Sequence, residues 1–209
     1  MSRFALVAVL DLDRYGAAGA VTRAAEAAIR GGASAVQLRG KGATTRALFE
    51  AACALAPRCR AAGAVFLVND RPDVARAAEA DGAHVGPGDL PPLAARRVLG
   101  PGVLGVSART PDRLAEAESA RADYLGTGAL RASVTKDDAA VIGIEGIAAF
   151  AAATRIPVVA IGGVRPGDAA DLVRAGAAGM ASASGIFGTR DPEAAARAYR
   201  EAWDRAVRG

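Results

Sequence analysis

Residues 157–187 read PVVAIGGVRPGDAADLVRAGAAGMASASGIF, and they show the unit from which the chain is built. The apolar runs at 158–161 and 179–183 are too short for buried helices and have the composition of buried parallel strands. A glycine pair, Gly162-Gly163, follows the first run, and a helical stretch that stops at Gly176 leads to the second. This order of strand, loop, helix and strand predicts a parallel α/β fold.

Six more runs of the same kind lie at residues 4–10, 35–38, 65–68, 82–85, 103–106 and 124–127. Eight strand–helix units in 209 residues average about 26 residues each, which favours a single-domain (β/α)8 TIM barrel over residues 1–209. A doubly wound open sheet is the alternative, but it usually has fewer strands and a glycine-rich first turn. The turn at residues 11–16 lacks GxGxxG.

Helix start signals agree with these units. Thr44 and Thr110 precede helical stretches, and Asp191 is followed by Pro192 at the first helical position. The apolar spacing of the last helix predicts one buried face, formed by Ala195, Tyr199, Trp203 and Val207.

Composition excludes several classes of protein. Apolar residues make up 52% of the chain and charged residues 23%, as in globular rather than disordered proteins. The net charge is +4, but arginine alternates with acidic residues along the helical stretches. We therefore expect small phosphorylated molecules as ligands, with no nucleic-acid partner. The oligomeric state, including a homo-oligomer, is left open.

The first apolar run is interrupted by Asp11 and Asp13, and no apolar segment reaches 18 residues. These features predict a soluble, cytoplasmic protein with no membrane partner. Cys53 and Cys59 lie six residues apart in one helical stretch, so they face different directions and are too distant for a disulfide bond. We expect both to be small buried hydrophobes.

Five rare polar residues point to the site. The chain has two lysines and one residue each of glutamine, asparagine and histidine. All lie at or just beyond strand ends: Gln37, Lys41, Asn69, His84 and Lys136. A TIM barrel keeps its active site at the carboxyl ends of its strands.

Strand alternation points Gln37, Arg39 and Lys41 to one side, where two cations suit a phosphate-rich ligand. Asp70 and Asp89 follow the next two strands and could share one Mg²⁺. The alternatives are local. Asp70 could pair with Arg71 or cap the helix after Pro72, and Asp89 could cap the helix that starts near Pro91.

The remaining strand ends supply further polar groups. His84 is expected to be a hydrogen-bonded structural residue, and Ser107 is a hydroxyl donor. The strand-6 loop, residues 126–138, is the longest and carries Ser133, Thr135 and Lys136. Gly163 after strand 7, and Ala183 with Ser184 after strand 8, predict a monophosphate site.

Seven ordered stretches carry a family resemblance: QLR-x-K (37–41), VNDR-x-D (68–73), DG-x-H-x-G-x-x-DLP (81–91), GVS (105–107), TK-x-DA (135–139), PVVAIGG (157–163) and the segment 184–187. Through these stretches together, the chain resembles the thiamine phosphate synthase family over nearly its whole length. Members of that family are (β/α)8 transferases. The resemblance implies that an aminopyrimidine methyl diphosphate and a thiazole phosphate are joined, with release of diphosphate.

The resemblance also implies roles for individual residues. Mg²⁺ would be held by Asp70 and Asp89, and the pyrimidine by Gln37. The diphosphate would be held by Arg39, Lys41, Asn69, Ser107 and Lys136. The thiazole phosphate would be held by Ser133, Thr135, Gly163 and Ser184, with Ala183 also counted as substrate-binding. The catalytic groups would be Lys136, Arg39, Lys41 and Ser107, and Lys136→Ala should slow turnover more than it weakens binding.

The chain departs from the family in the strand-6 loop. Two prolines and an aromatic residue of the usual pattern are replaced by Ala129, Ala132 and Arg131. Ser133 keeps the hydroxyl of the usual threonine, and Val134 lies beside it. The effect on substrate preference is open. Pro87 occupies a position where glutamine is frequent.

Three alternatives are weighed against a synthase. A thiazole tautomerase-like paralogue would often lose the diphosphate and metal residues and use a histidine in the strand-6 loop, which this sequence lacks. A non-catalytic phosphate-binding barrel is made plausible by the altered loop. A sugar-phosphate isomerase would need a carboxylate or histidine base, and would leave the two aspartates unexplained.

Overall fold

The fold is a closed barrel of eight parallel strands, seen in a computed structural model that describes residues 2–15, 18–131 and 141–209. The strands follow one another around the barrel in chain order, and β8 pairs with β1. The predicted TIM barrel is therefore confirmed, and the open sheet is excluded because no strand lies at an edge. The strands are β1 Leu6–Asp11, β2 Ala35–Arg39, β3 Val65–Asn69, β4 Gly82–Val85, β5 Val103–Ser107, β6 Tyr124–Thr127, β7 Val158–Ala160 and β8 Gly179–Ser182.

Helices surround the barrel, and the predicted start signals are present. The Thr44 hydroxyl accepts a hydrogen bond from the Ala47 amide at 3.2 Å, and Thr110 caps its helix in the same way. Asp191 accepts from the Ala194 amide at 3.0 Å. The helices are α1 Leu12–Tyr15, α2 Ala18–Arg30, α3 Thr45–Ala61, α4 Pro72–Ala77, α5 Pro92–Leu99, α6 Pro111–Ser119, α7 Gly143–Ala153, α8 Ala169–Arg174, α9 Ser184–Phe187 and α10 Pro192–Arg208, with a 3₁₀ turn at Pro166–Asp168.

Strand alternation divides the core into two layers. Side chains such as Val7, Leu67 and Tyr124 fill the inside of the barrel, while Leu38 and Leu125 pack outward against the helices. The outer layer is rich in alanine, so the helices lie close to the strands. The same alternation places Gln37 inside, beneath the carboxyl ends of the strands.

Three expectations were wrong in detail. Val207 is 60% exposed, and Ala196 rather than Ala195 is buried with Tyr199 and Trp203, because only part of α10 packs on the barrel. Cys59 is buried but Cys53 is exposed, so only one of the two thiols is a core residue. The first strand begins two residues later than predicted and continues to Asp11.

Across the described ranges, no helix combines the length and the apolar character needed to cross a membrane.

Candidate active site

A cavity of about 530 Å³ opens at the carboxyl ends of the strands. Ten residues predicted from the sequence line it: Gln37, Arg39, Lys41, Asn69, Asp70, Asp89, Ser107, Gly163, Ala183 and Ser184. These residues come from six different strand ends, and the barrel brings them to one mouth. Ser133, Thr135 and Lys136 lie outside the described residues.

The cations of β2 are held by carboxylates at neighbouring strand ends. Asp11 and Arg39 are partners in the register of β1 with β2, and Arg39 Nη1 lies 2.5 Å from Asp11 Oδ2. Lys41 Nζ lies 3.3 Å from Asp70 Oδ2. Both side chains face the same cavity as the predicted anion site.

Asp70 and Asp89 line the same part of the cavity, and their carboxyl groups interact. Burial raises the pKa of Asp70 above its ordinary value, and the Asp89 carboxyl raises it further, whereas Lys41 opposes the shift. Two carboxylates this close repel each other unless a proton or a cation lies between them. The backbone of Asp70 is left-handed, with φ of 67°, which turns the residue out of the strand direction.

The local alternatives for the two aspartates are wrong. Arg71 pairs with Asp73 at 2.6 Å, and no side chain caps α4. Asp89 Oδ2 accepts from the Gly86 amide at 2.7 Å, and α5 likewise has no side-chain cap. Both carboxyl groups thus keep oxygen atoms available at the cavity.

The carboxylate pair fits Mg²⁺ better than a metal that needs an all-protein cage. No group of three or more histidine, cysteine, aspartate or glutamate side chains that could hold a metal exists within the described residues. Magnesium commonly takes only one or two carboxylates and completes its shell with water and substrate phosphates. The pair beside Lys41 has the chemistry for such a site.

Arg113 supports the loops that carry Asp89 and Ser107. Its Nη2 donates to the Gly86 carbonyl at 3.0 Å, and its Nε donates to the Ser107 carbonyl at 3.4 Å. Gly86 in turn holds Asp89 through its amide. One largely buried guanidinium therefore ties the ends of β4 and β5 together.

The second predicted anion site lies at the backbone turns after β7 and β8. Gly162 and Gly163 adopt φ of 85° and 72°, which glycine reaches without strain. Tyr199 from α10 donates to the Val164 carbonyl at 2.7 Å and accepts from Ser182 Oγ at 3.2 Å. The last helix thus fixes the two strand ends against each other.

Arg131, which replaces the usual aromatic residue, is anchored beside this site. Its two terminal nitrogens each lie 2.6 Å from an oxygen of Asp168, and Nη1 also donates to the Gly163 carbonyl at 3.2 Å. Burial disfavours the Asp168 carboxylate, but hydrogen bonds from Arg131 and the Arg165 amide outweigh it, and the pKa of Asp168 is lowered. The pair joins the start of the strand-6 loop to the turn after β7.

Arg131→Ala is expected to move acid unfolding to a higher pH. A carboxyl whose pKa is lowered stabilises the fold above its unfolded pKa of about 3.9, and this stability is lost as the pH falls through the lower folded value. Without Arg131, burial dominates, so the pKa of Asp168 rises and stability is lost earlier during acidification. Because Arg131 is 44% exposed, we expect a loss of roughly 1 kcal/mol at neutral pH.

The measurement is circular dichroism during acid titration, with Arg174→Ala as the matched control. Arg174 pairs with Asp171 on α8, and both side chains are exposed. Equal acid midpoints for the two variants would contradict a special role for the Arg131–Asp168 pair.

Several lining residues were not predicted. Among the described residues, six basic side chains (Arg14, Arg39, Lys41, Arg109, Arg131 and Arg165) and three acidic ones (Asp11, Asp70 and Asp89) line the cavity. Each of these charged residues is either the last residue of a strand or lies one to five residues beyond it. The sequence shows this position, but the many other arginines of the chain obscure it. The excess of positive charge favours anionic ligands.

A TIM barrel with a cationic mouth, a carboxylate pair and glycine turns after β7 and β8 is a phosphate-handling enzyme of the (β/α)8 class. A sequence profile described as thiamine monophosphate synthase matches residues 6–186. The chain belongs to the thiamine monophosphate synthase family, and it is a transferase.

Individual relatives agree. The chain is 49% identical over 181 residues to a thiamine-phosphate synthase of Moorella thermoacetica, covering 86% of each chain. It is 44% identical over 199 residues to the thiamine-phosphate synthase of Laribacter hongkongensis, covering 94% of each. The solved structure of thiamine phosphate pyrophosphorylase from Pyrococcus furiosus superposes with a TM-score of 0.89 at 33% identity, covering 99% of this chain and 98% of that one.

Proposed function

We propose that this enzyme joins 4-amino-2-methyl-5-pyrimidinylmethyl diphosphate to 4-methyl-5-(2-phosphoethyl)thiazole and releases diphosphate. The observation that carries the proposal is the Asp70–Asp89 pair beside Arg39 and Lys41 in one cavity. A carboxylate pair alone would repel a diphosphate, and cations alone would not need the aspartates. Together they suit a diphosphate that arrives with a divalent metal.

The reaction requires electrostatic stabilisation of the leaving diphosphate more than it requires acid or base catalysis. Arg39 and Lys41 bind the diphosphate and stabilise the charge that grows on it as the carbon–oxygen bond breaks. Mg²⁺ held by Asp70 and Asp89 would neutralise part of the same charge. The aminopyrimidine delocalises the positive charge left on the methylene carbon, so the step is dissociative. Lys136, outside the described residues, is proposed to assist the leaving group.

Gln37 orients the pyrimidine. Its Nε2 donates to the Tyr124 hydroxyl at 3.3 Å, while its Oε1 receives no hydrogen bond from the described part of the chain. That carbonyl oxygen can accept from the exocyclic amino group of the pyrimidine. A pyrimidine held from below by one amide leaves its methylene carbon near the diphosphate site above.

The thiazole phosphate is proposed to bind at the turns after β7 and β8. Gly163 and Ser184 line this side of the cavity, and the Gly162–Gly163 turn brings backbone amides close to it. Ser133 and Thr135 are proposed to complete the phosphate site from the strand-6 loop. Anchoring the phosphate would hold the thiazole nitrogen within attacking distance of the methylene cation.

The test is a reaction of the purified protein with both substrates, with and without Mg²⁺, that follows diphosphate and thiamine phosphate together. We expect equal amounts of the two products, only when both substrates and Mg²⁺ are present. Product formation that is insensitive to chelation would reject the metal role. If no product forms from the two substrates, with or without Mg²⁺, the result would favour a non-catalytic phosphate-binding barrel. Isomerisation of a thiazole without diphosphate release would favour the tautomerase-like paralogue.

A further inference from the structure

Beneath the proposed diphosphate side of the cavity, four strands contribute a chain of hydrogen-bonded polar groups. Gln37 Nε2 lies 3.3 Å from the Tyr124 hydroxyl, and that hydroxyl lies 2.9 Å from His84 Nδ1. His84 Nε2 lies 2.8 Å from Ser107 Oγ. Gln37, His84 and Tyr124 are at most 8% exposed, so water contributes little to their hydrogen bonding. Ser107, at the end of β5, is the least buried of the four and lines the cavity.

Two glycines make room for this chain. A Cβ atom at Gly105, which is the register partner of Tyr124, would lie 2.3 Å from the tyrosine ring. A Cβ atom at Gly126 would lie 2.8 Å from His84 Cε1. Side chains at either position would displace the tyrosine or histidine ring. The two glycines therefore leave the space that the two rings occupy.

Counting donors fixes the direction of the hydrogen bonds. Burial keeps the pKa of the Tyr124 hydroxyl far above its ordinary value, so the hydroxyl keeps its proton. The Gln37 Nε2 group can only donate to it, and the buried hydroxyl proton then needs an acceptor. His84 Nδ1 is the acceptor within reach. The imidazole must consequently carry its own proton on Nε2, from which it donates to Ser107 Oγ.

We propose that His84 is a positioning residue that sets the orientation of the Ser107 hydroxyl, with Tyr124 selecting the histidine tautomer. Because Ser107 Oγ accepts from His84, its proton cannot turn inward and points to the cavity. A neutral hydroxyl fixed in this direction donates to an anion without any cost of reorientation. This inference rests on the proposed function, since the anion would be the diphosphate.

The first experiment reads the tautomer directly. The chain has a single histidine, so a long-range ¹H–¹⁵N spectrum of ¹⁵N-histidine-labelled protein needs no assignment. Near pH 8, well above the ordinary histidine pKa of about 6.5, we expect the Nε2–H form in the ligand-free protein. A spectrum of the Nδ1–H form would overturn the proposal, because Ser107 would then donate to the ring.

Tyr124→Phe tests the selecting group. Without the tyrosine donor, Tyr124 no longer favours the Nε2–H tautomer over the Nδ1–H tautomer, and signals of both forms are expected. An unchanged Nε2–H spectrum would remove Tyr124 from the proposal. This readout needs no substrate, so it stays informative even if the reaction proposed above proves wrong.

A double-mutant cycle tests the consequence for ligand binding, with inorganic diphosphate and Mg²⁺ as the probe. We expect Ser107→Ala to weaken diphosphate binding by about tenfold, as for loss of one hydrogen bond to a charged group. His84→Met should weaken binding severalfold in the unaltered chain and cause no further change when Ser107 is already alanine. Independent, multiplying effects of the two substitutions would overturn the positioning role. If His84→Met does not fold, the tautomer of the unaltered protein still decides.

Failure of this inference and failure of the proposed function are distinguishable. If the unaltered protein does not bind diphosphate with Mg²⁺ at all, the proposed function fails whatever the tautomer. If diphosphate binds and His84 and Ser107 act independently, the proposed function survives and the positioning role is lost.

Discussion

Asp70→Asn is expected to make the metal-free protein more stable and nearly inactive. The raised pKa of Asp70 means that the folded state disfavours the ionised carboxyl, so at neutral pH this charge costs stability. Asparagine removes the charge, keeps the size, and tolerates the left-handed backbone at φ of 67°. The lost contact with Lys41 matters little, because that lysine is 53% exposed.

The same change removes half of the proposed metal site. Loss of one electrostatic group at a transition state typically costs about 10²- to 10³-fold in rate, and we expect at least the lower value for kcat/KM. Thermal unfolding of the metal-free protein and Mg²⁺-dependent turnover are the two measurements. Asp73→Asn is the matched control, since Asp73 lies three positions after Asp70 and pairs with exposed Arg71. Full activity in Asp70→Asn, or a lower melting temperature with normal Mg²⁺ dependence, would contradict the metal role.

Arg39→Ala is expected to lower kcat/KM by about 100-fold. Removing one member of a partly buried ion pair leaves its partner uncompensated, which commonly costs about 2–5 kcal/mol. Here the partner is Asp11, which lines the same cavity and would repel the incoming diphosphate. The loss therefore has two parts, a missing cation and an exposed anion.

The double variant Asp11→Asn with Arg39→Ala separates these parts. We expect it to recover roughly fivefold to tenfold over Arg39→Ala alone, because the repulsive carboxylate is gone. Arg58→Ala serves as the control, since Arg58 pairs with Glu26 on the helical surface away from the cavity. If the double variant is no better than the single one, Asp11 does not face the diphosphate.

The barrel and most of its mouth could be predicted because the information is local. Short β-branched runs, helix caps such as Thr44 and stops such as Gly176 each depend on a few neighbouring residues. Once the barrel is accepted, the residues after each strand must meet at one end. That is why ten of the predicted site residues line one cavity, although no contact between them was known when they were predicted.

The pairings could not be predicted because they depend on register and distance. Arg39 meets Asp11 across 28 positions, and Arg131 meets Asp168 across 37. Helix periodicity likewise cannot tell which turns of α10 reach the barrel, and Val207 was therefore wrongly predicted to be buried. It also cannot tell which side of α3 is buried, and Cys53 was wrongly predicted to be buried for that reason. Tyr124 was predicted only as the start of a strand, since the space that Gly105 leaves for its ring is visible only in three dimensions.

Arg14, Arg109 and Arg165 line the cavity, yet their side chains form no ion pair with any residue in the described ranges. Unneutralised charges at a concave opening attract anions over about one Debye length, roughly 8 Å in physiological salt. They would speed the capture of two phosphorylated substrates from dilute solution. The same field would also slow the release of diphosphate after the two substrates have been joined. At low ionic strength, release of this by-product rather than the chemical step would then be rate-limiting.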